Sequence, residues 1–518
     1  MANEEYPTDP NLEAPDPWLI LKAMRKIDMS ERAQHLTPWM DLVATRPPTE
    51  RDALTEAGKE IWRYRIATIR EHLDDFDRSN RGSSITIASL APPLLEGKLA
   101  EMVYRPGKNP PVGFLVHDLN RPDDAPVWAD HLETPGKTYS PPTDRLLDKQ
   151  AVYCPSGIEE FGTDWQLFQQ ISNYVNRYLQ LDSMSFRTLA CIWAMMTWVF
   201  DRFQAVPYLR AIGDFDSGKT RLLTVFWRIC YRSIFVGGAV TPSPIFRLID
   251  RVRGTLIMDE ADFGESDHSH HIVQILNQGY SRGSVVIRSE RGVNDNFEVG
   301  AYDCFCPKLL GTRRRFSDPA LESRCLTHIM TLQNLRLDMP LSLGDDFEQE
   351  AASIRNKLLL WRFRRWAHIK ADPYARIEGI ASRVSQIFQP LLACATDRKL
   401  QPTILAMVRA FSDEVQAERR DSTEGTIVGA LIEAWREVQY GDRVPLRRVT
   451  ERLEVEHHLS AERVSAILRK TLGFQTRKIG GFAYVYDPRE RLQTLAPHYG
   501  LSVDPPGVRS STPPLASS

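Results

Sequence analysis

From Pro17 to about Asp77 apolar residues recur at helical spacing (Trp18, Leu19, Leu21 and Met24, then Ile61, Tyr64, Ile69 and Leu73), so residues 1–82 predict a helical region interrupted at Pro47-Pro48. From Ser83 to Cys154 the pattern shortens to β-rich runs (Ile85 to Leu90, Gly113 to His117, Val152 to Tyr153) set apart by Pro, Gly and Asp. Residues 83–155 therefore predict a small β-containing domain or an irregular platform. Helical spacing resumes at Trp165 to Leu181 and Phe186 to Arg202, in a linker covering 156–206. Between 207 and 346 the strand-like runs Tyr208 to Ile212, Ser233 to Val240, Gly254 to Asp259, Cys306 to Gly311 and Arg324 to Met330 alternate with helical stretches. That alternation predicts an α/β core, a parallel sheet between two layers of helices.

Residues 347–397 predict a helical lid. In 398–499, Thr426 to Val438, Pro445 to Glu454 and Ala461 to Leu472 read as three helices before a hairpin, Phe474 to Tyr486, turning at Gly480-Gly481. This is a winged helix-turn-helix pattern. The Pro- and Ser-rich tail, 500–518, predicts disorder.

Composition narrows the classes. With 42% hydrophobic and 25% charged residues over 518 positions, the chain reads as soluble, globular and multidomain. Lys and Arg total 65 against 67 acids, so any nucleic-acid contact must come from local patches. Seven scattered cysteines without a C-x-x-C pair read as buried thiols in a reducing cytosol, and the acidic start carries no signal pattern, so a cytoplasmic location is expected. The most apolar run, Leu189 to Phe200, falls well short of the ~20 residues a membrane helix needs and predicts a buried helix. Asp267-His268-Ser269-His270-His271 lacks further ligands at metal-site spacing and reads as a solvated helix start.

The chemistry-bearing feature is Gly213-Asp214-Phe215-Asp216-Ser217-Gly218-Lys219-Thr220, a G-x-x-x-x-G-K-T phosphate-binding loop between a strand-like run and the amphipathic stretch Arg221 to Tyr231. Its glycines let backbone N–H groups turn around a β-phosphate, Lys219 reaches the β and γ oxygens, and the Thr220 hydroxyl sits on Mg²⁺. Gly213, Asp216, Ser217, Gly218, Lys219, Thr220 and Arg221 form the expected nucleotide-binding set, with the Asp214 and Asp216 carboxylates facing solvent. About forty residues on, Thr255 to Glu260 is an apolar strand ending in two acids. Asp259 suits the metal, and Glu260 suits the orientation and deprotonation of a water. A third feature, Ser284 to Val299, reads as a β-hairpin with a polar tip containing Gly292. Arg447, Arg448, Arg463, Arg469, Lys470, Arg477 and Lys478 give the C-terminal helices and wing a basic face, with Arg477 and Lys478 the expected DNA contacts on the wing.

From Trp165 to Tyr499 this order resembles the AAA+ ATPases, and within them the helicase-like ATPases of phages and integrated mobile elements, distant relatives of the minichromosome maintenance helicases. The resemblance implies that Thr312, ending Pro307-Lys308-Leu309-Leu310-Gly311-Thr312-Arg313, positions the lytic water. It implies that Arg324, in Ala320-Leu321-Glu322-Ser323-Arg324, is an arginine finger for a neighbouring subunit, with Arg313, Arg314 and Arg315 as rivals. It makes Arg383 a γ-phosphate contact, and it places Arg288 and Arg291 of the hairpin on DNA phosphates. The activity implied is ATP- and Mg²⁺-dependent DNA translocation or unwinding by a hexameric ring, replicating a mobile element beside a primase or another replication protein. A remodelling or regulatory ATPase whose winged helix docks a protein is the alternative.

Overall fold

The computed structural model describes residues 16–26, 29–46, 48–62, 69–70, 73, 85–88, 97–134, 137–141, 145–149, 151–237, 240–263, 267–291, 297–331, 336–372 and 374–503. The chain divides into two compact units, Met1–Asp148 and Lys149–Ser518.

The first unit begins with helices Pro17–Met24, Met29–Ala44 and Pro48–Trp62. Asp16 caps the first of them, accepting from Trp18 N at 3.0 Å. Their shared core centres on Trp39, which is fully buried and donates its indole N–H to the Pro17 carbonyl at 3.1 Å. Six short strands follow: β1 (Ile85–Ala88), β2 (Lys98–Tyr104), β3 (Val112–Asp118), β4 (Val127–Ala129), β5 (Leu132–Thr134) and β6 (Lys137–Ser140). They form two separate three-stranded sheets, β2-β3-β4 and β1-β6-β5. Sequence pattern missed β2, because Lys98 and Glu101 interrupt its apolar run, yet Glu101 is buried. The run at Val152 belongs to the second unit, where Val152 bridges to Ile234.

The second unit is built on β7 (Tyr208–Ile212), β8 (Ile234–Val236), β9 (Leu256–Met258), a long antiparallel pair β10 (Val285–Arg291) and β11 (Phe297–Asp303), then β12 (Lys308–Thr312) and β13 (Cys325–Ile329). Strands β13-β7-β12-β9-β8 form one five-stranded parallel sheet. Their near-continuous apolar character follows from burial on both faces, which parallel sheets require. Four of the five expected runs contain one of these strands, and the run Cys306 to Gly311 covers β12 up to its last residue, Thr312.

Helix Met184–Thr197 packs inside this unit, wholly buried from Leu189 onward, and Trp193 donates to the Pro207 carbonyl at 2.9 Å. Helix Asp345–Arg365 is tied on by a bidentate ion pair of Arg362 with Asp201, both contacts 2.8 Å, and Trp366 Nε1 also donates to Asp201 at 2.8 Å. Burial alone would raise the Asp201 carboxyl, but Arg362 outweighs it and holds the group below the usual carboxylate range.

Beyond helices Ser382–Cys394 and Gln401–Asp421, a second core forms around helices Thr423–Glu437, Leu446–His457 and Ala461–Ala466. The antiparallel strands β14 (Arg443–Pro445), β15 (Gln475–Ile479) and β16 (Phe482–Tyr486) complete it, in the order β14-β16-β15. All seven cysteines are buried and none is in a disulfide, and burial pushes the Cys191 and Cys325 thiols up to about 12. Among the described residues no helix is long and apolar enough to cross a membrane.

Candidate nucleotide site

The loop 213–218 joins the end of β7 to helix Lys219–Trp227, which opens on Gly218 at φ +82°. That left-handed geometry favours glycine and turns the first helical N–H groups toward the loop's mouth. Ser217 closes the loop from within, its hydroxyl donating to the Asp214 carbonyl at 2.8 Å. Asp214, Phe215 and Asp216 face solvent. The Lys219 ammonium donates to the carbonyls of Gly213 at 3.1 Å and Thr312 at 3.4 Å, so it spans from the loop to the end of β12.

β12 lies between β7 and β9, and this brings the acids to the loop. The Thr220 hydroxyl donates to Asp259 Oδ2 at 2.8 Å, while Asp259 Oδ1 accepts from the Glu260 N–H at 2.9 Å. Glu260 takes φ +53° and is exposed, so the second acid leaves the sheet as its adjacency to the first requires. The turn is tied at both ends, Asp259 N to the Val236 carbonyl at 3.1 Å and Ala261 N to the Gly311 carbonyl at 2.8 Å.

Gly311 is a residue that motif reading missed. A Cβ there would sit 2.8 Å from Leu223 Cδ1, 2.9 Å from Asp259 Oδ1 and 3.4 Å from Lys219 Cδ, so β12 presents bare backbone to both motifs. The signal was a glycine inside an otherwise apolar strand. The loop, its lysine and the adjacent hydroxyl–carboxylate pair together fit a nucleoside triphosphate with Mg²⁺: backbone N–H groups for phosphates, and a hard-oxygen donor pair for the ion.

Other expected site residues lie elsewhere. Alternation along β12 puts the Thr312 side chain on the face opposite Gly311, with Lys308, and its buried hydroxyl finds no partner. Only the Thr312 carbonyl reaches Lys219. Arg221 gives its guanidinium to three backbone carbonyls, Tyr178 at 2.7 Å, Leu341 at 2.9 Å and Pro340 at 2.5 Å, which leaves it unavailable to a phosphate. Arg324 donates to Asn277 Oδ1 at 2.5 Å and to the Asn277 carbonyl, with its guanidinium 5.0 Å over the Tyr280 ring. Arg383 faces the same ring at 4.6 Å. Tyr280 accepts from Val206 at the opening end of β7, so both arginines lie a strand's length from their own phosphate loop.

On the β10–β11 hairpin, positions 288 and 291 are an odd number apart on one strand, so alternation assigns them opposite faces. The Arg288 guanidinium stacks 5.6 Å over Phe246 of helix Pro242–Val252. The side chain of Arg291 and the hairpin tip lie outside the described residues. Ile287 and Val299 are 61% and 75% exposed, an apolar surface that the charge pattern did not predict. On β15, Arg477 and Lys478 are exposed, Arg477 lying 4.7 Å over Tyr486. Arg447 pairs with Glu451 and Arg448 with Glu437, so the exposed basic face contracts toward Arg463, Arg469, Lys470, Arg477 and Lys478.

No family model matches the chain, and no curated protein matches it. Among solved structures it is similar to the apo structure of the NrS-1 C-terminal region, with a TM-score of 0.36 at 10% identity over 76% of this chain and 96% of that one. It is also similar to JCV helicase, with a TM-score of 0.24 at 13% identity over 51% and 65%. A third likeness is to the Thermotoga maritima RuvB Holliday junction branch migration motor, with a TM-score of 0.20 at 13% identity over 63% and 98%. Likeness at this level assigns no activity.

Proposed function

We propose that the chain is an ATP-dependent motor that translocates on or unwinds DNA, working as a ring, hexameric by the resemblance noted from sequence, in the replication of a mobile element. The observation that carries the ATPase part is the 2.8 Å bond from Thr220 to Asp259, because it unites the phosphate loop with the acidic strand end in one pocket. Thr220 and Asp259 are the residues that would hold Mg²⁺, which when bound supplies positive charge to the β- and γ-phosphoryl oxygens. Loop N–H groups and Lys219 bind and orient the triphosphate. Glu260, turned out of the sheet, accepts a proton from the attacking water.

Arg324 and Arg383 serve a neighbouring subunit in this reading. Their position at the opening end of β7, away from their own loop, supports a role across an interface. Burial pulls the Arg324 guanidinium below the usual arginine range without discharging it. The DNA part is supported by the long hairpin between β9 and β12 and by the exposed Arg477 and Lys478 on the β15–β16 hairpin, which this reading takes as the wing of a winged helix. Replacing Arg477 and Lys478 with alanine is expected to weaken DNA binding about equally for all sequences and to flatten its salt dependence by roughly two phosphate contacts. An unchanged salt slope, measured by anisotropy titration, removes the wing from the DNA path.

The alternative is a remodelling ATPase whose winged helix docks a protein, and the glutamate-paired arginines and the 64% exposed Phe482 on β16 favour it. The test is hydrolysis with and without DNA in wild-type protein and in the Arg288→Ala, Arg291→Ala double variant. Stimulation lost in the variant supports the motor; hydrolysis indifferent to DNA supports the remodeller.

A further inference from the structure

We propose that Arg313, the residue just past the end of β12, and not Thr312, reaches the γ-phosphate, and that it acts on the nucleotide of its own subunit. This rests on the ATPase reading above. Gly311 faces Lys219 and Asp259, and alternation sends Thr312 to the opposite face of the sheet; residue 313 follows the strand end in a bend, where its own contacts set its place. The chain leaves β12 there under restraint: the Arg313 N–H donates to Asp262 Oδ1 at 2.7 Å, just beyond the two acids. One residue earlier, the Thr312 carbonyl accepts from Gly213 N at 3.0 Å, so the backbone at 313 adjoins the start of the phosphate loop.

The side chain completes the argument. The Arg313 guanidinium lies 4.5 Å over the ring of Phe215, a phosphate-loop residue that is 71% exposed. Of its rivals, Arg315 is committed to Glu322 and Glu418, Arg324 to Asn277 and Arg221 to three carbonyls, while the exposed Arg314 lies one position further from the phosphate loop. Among the described residues the Arg313 guanidinium meets no carboxylate. A cation resting on an exposed ring is held weakly, whereas a guanidinium on a phosphoryl group makes paired, charge-assisted hydrogen bonds. Phe215 therefore parks the arginine beside the loop, and a γ-phosphate draws it across.

Arg313 and Phe215 are both exposed, so alanine at either position leaves the core untouched. Binding of fluorescent ATP and ADP analogues to the full chain is the first readout. Arg313→Ala is expected to weaken ATP binding at least about tenfold while leaving ADP binding unchanged, and to lower kcat by about ten- to a hundredfold. Phe215→Ala should change both far less. Mixing subunits tests the cis role: Arg313→Ala protein mixed with Lys219→Ala protein should recover no turnover, since no site would then hold both residues. Equal loss of ATP and ADP affinity, a wild-type kcat, or recovery of turnover on mixing would each overturn the proposal. Wild-type protein without Lys219-dependent turnover would instead sink the ATPase reading itself.

Discussion

Glu260→Gln is expected to lower ATP turnover on the order of 10²–10⁴-fold while ATP still binds. The amide keeps the shape of the side chain but cannot take a proton, and the groups that hold the phosphates lie in the separate loop 213–220, tied to Asp259 and not to the Glu260 carboxylate. Backbone geometry should survive, because the φ of +53° at Glu260 is fixed by the flanking bonds Asp259 N to Val236 O and Ala261 N to Gly311 O. Turnover by phosphate release, set beside equilibrium binding of a fluorescent ATP analogue, separates the two effects. Wild-type turnover in this variant would remove Glu260 from the chemistry, and loss of binding together with turnover would make its role structural.

The largest effect on stability is expected at the ion pair under the same sheet. Arg210, wholly buried on β7, donates to both Glu322 oxygens, 2.6 Å and 2.5 Å, and to Thr327 of the neighbouring strand β13 at 3.1 Å. Glu322 also accepts the Phe316 N–H at 2.9 Å, fixing the segment between β12 and β13. Glu322→Ala leaves that guanidinium buried without its counter-charge, at a cost of about 3–5 kcal/mol. Urea titration should show the loss. A change within about 0.5 kcal/mol would contradict this reading of the pair. Burial tends to raise the Glu322 carboxyl, but the Arg210 bonds prevail and hold it below its ordinary value near 4.5. The pair therefore stabilises the fold above that value and stops doing so as pH falls through the lower, folded-state pKa, so the wild-type advantage over Glu322→Ala should shrink in acid.

What the sequence disclosed, and what it withheld, follows from the range of each interaction. The loop 213–220 and the acids 259–260 were legible because their chemistry is local: residue type and spacing already specify strand, turn and helix start. The five core strands were legible because burial on both faces writes itself as unbroken apolar runs. β2 escaped because burial of Glu101 is a tertiary matter. The place of Thr312 required the face of a strand, and only Gly311's fit against Leu223, Asp259 and Lys219 supplies it. Arg221, Arg324 and Arg383 carried the right charge, but their partners are 43, 47 and 103 positions away and no local pattern encodes them. The opposed faces of positions 288 and 291, in contrast, could have been read from their odd spacing alone.

The central claim is that one pocket, built from the 213–220 loop and the 259–260 acids, hydrolyses ATP in response to DNA. The most direct measurement is ATP turnover by the purified chain with no DNA, single-stranded DNA and forked DNA, beside Lys219→Ala. The account predicts turnover that DNA raises several-fold and that Lys219→Ala abolishes. Turnover that survives Lys219→Ala, or that is the same with and without DNA, would contradict it.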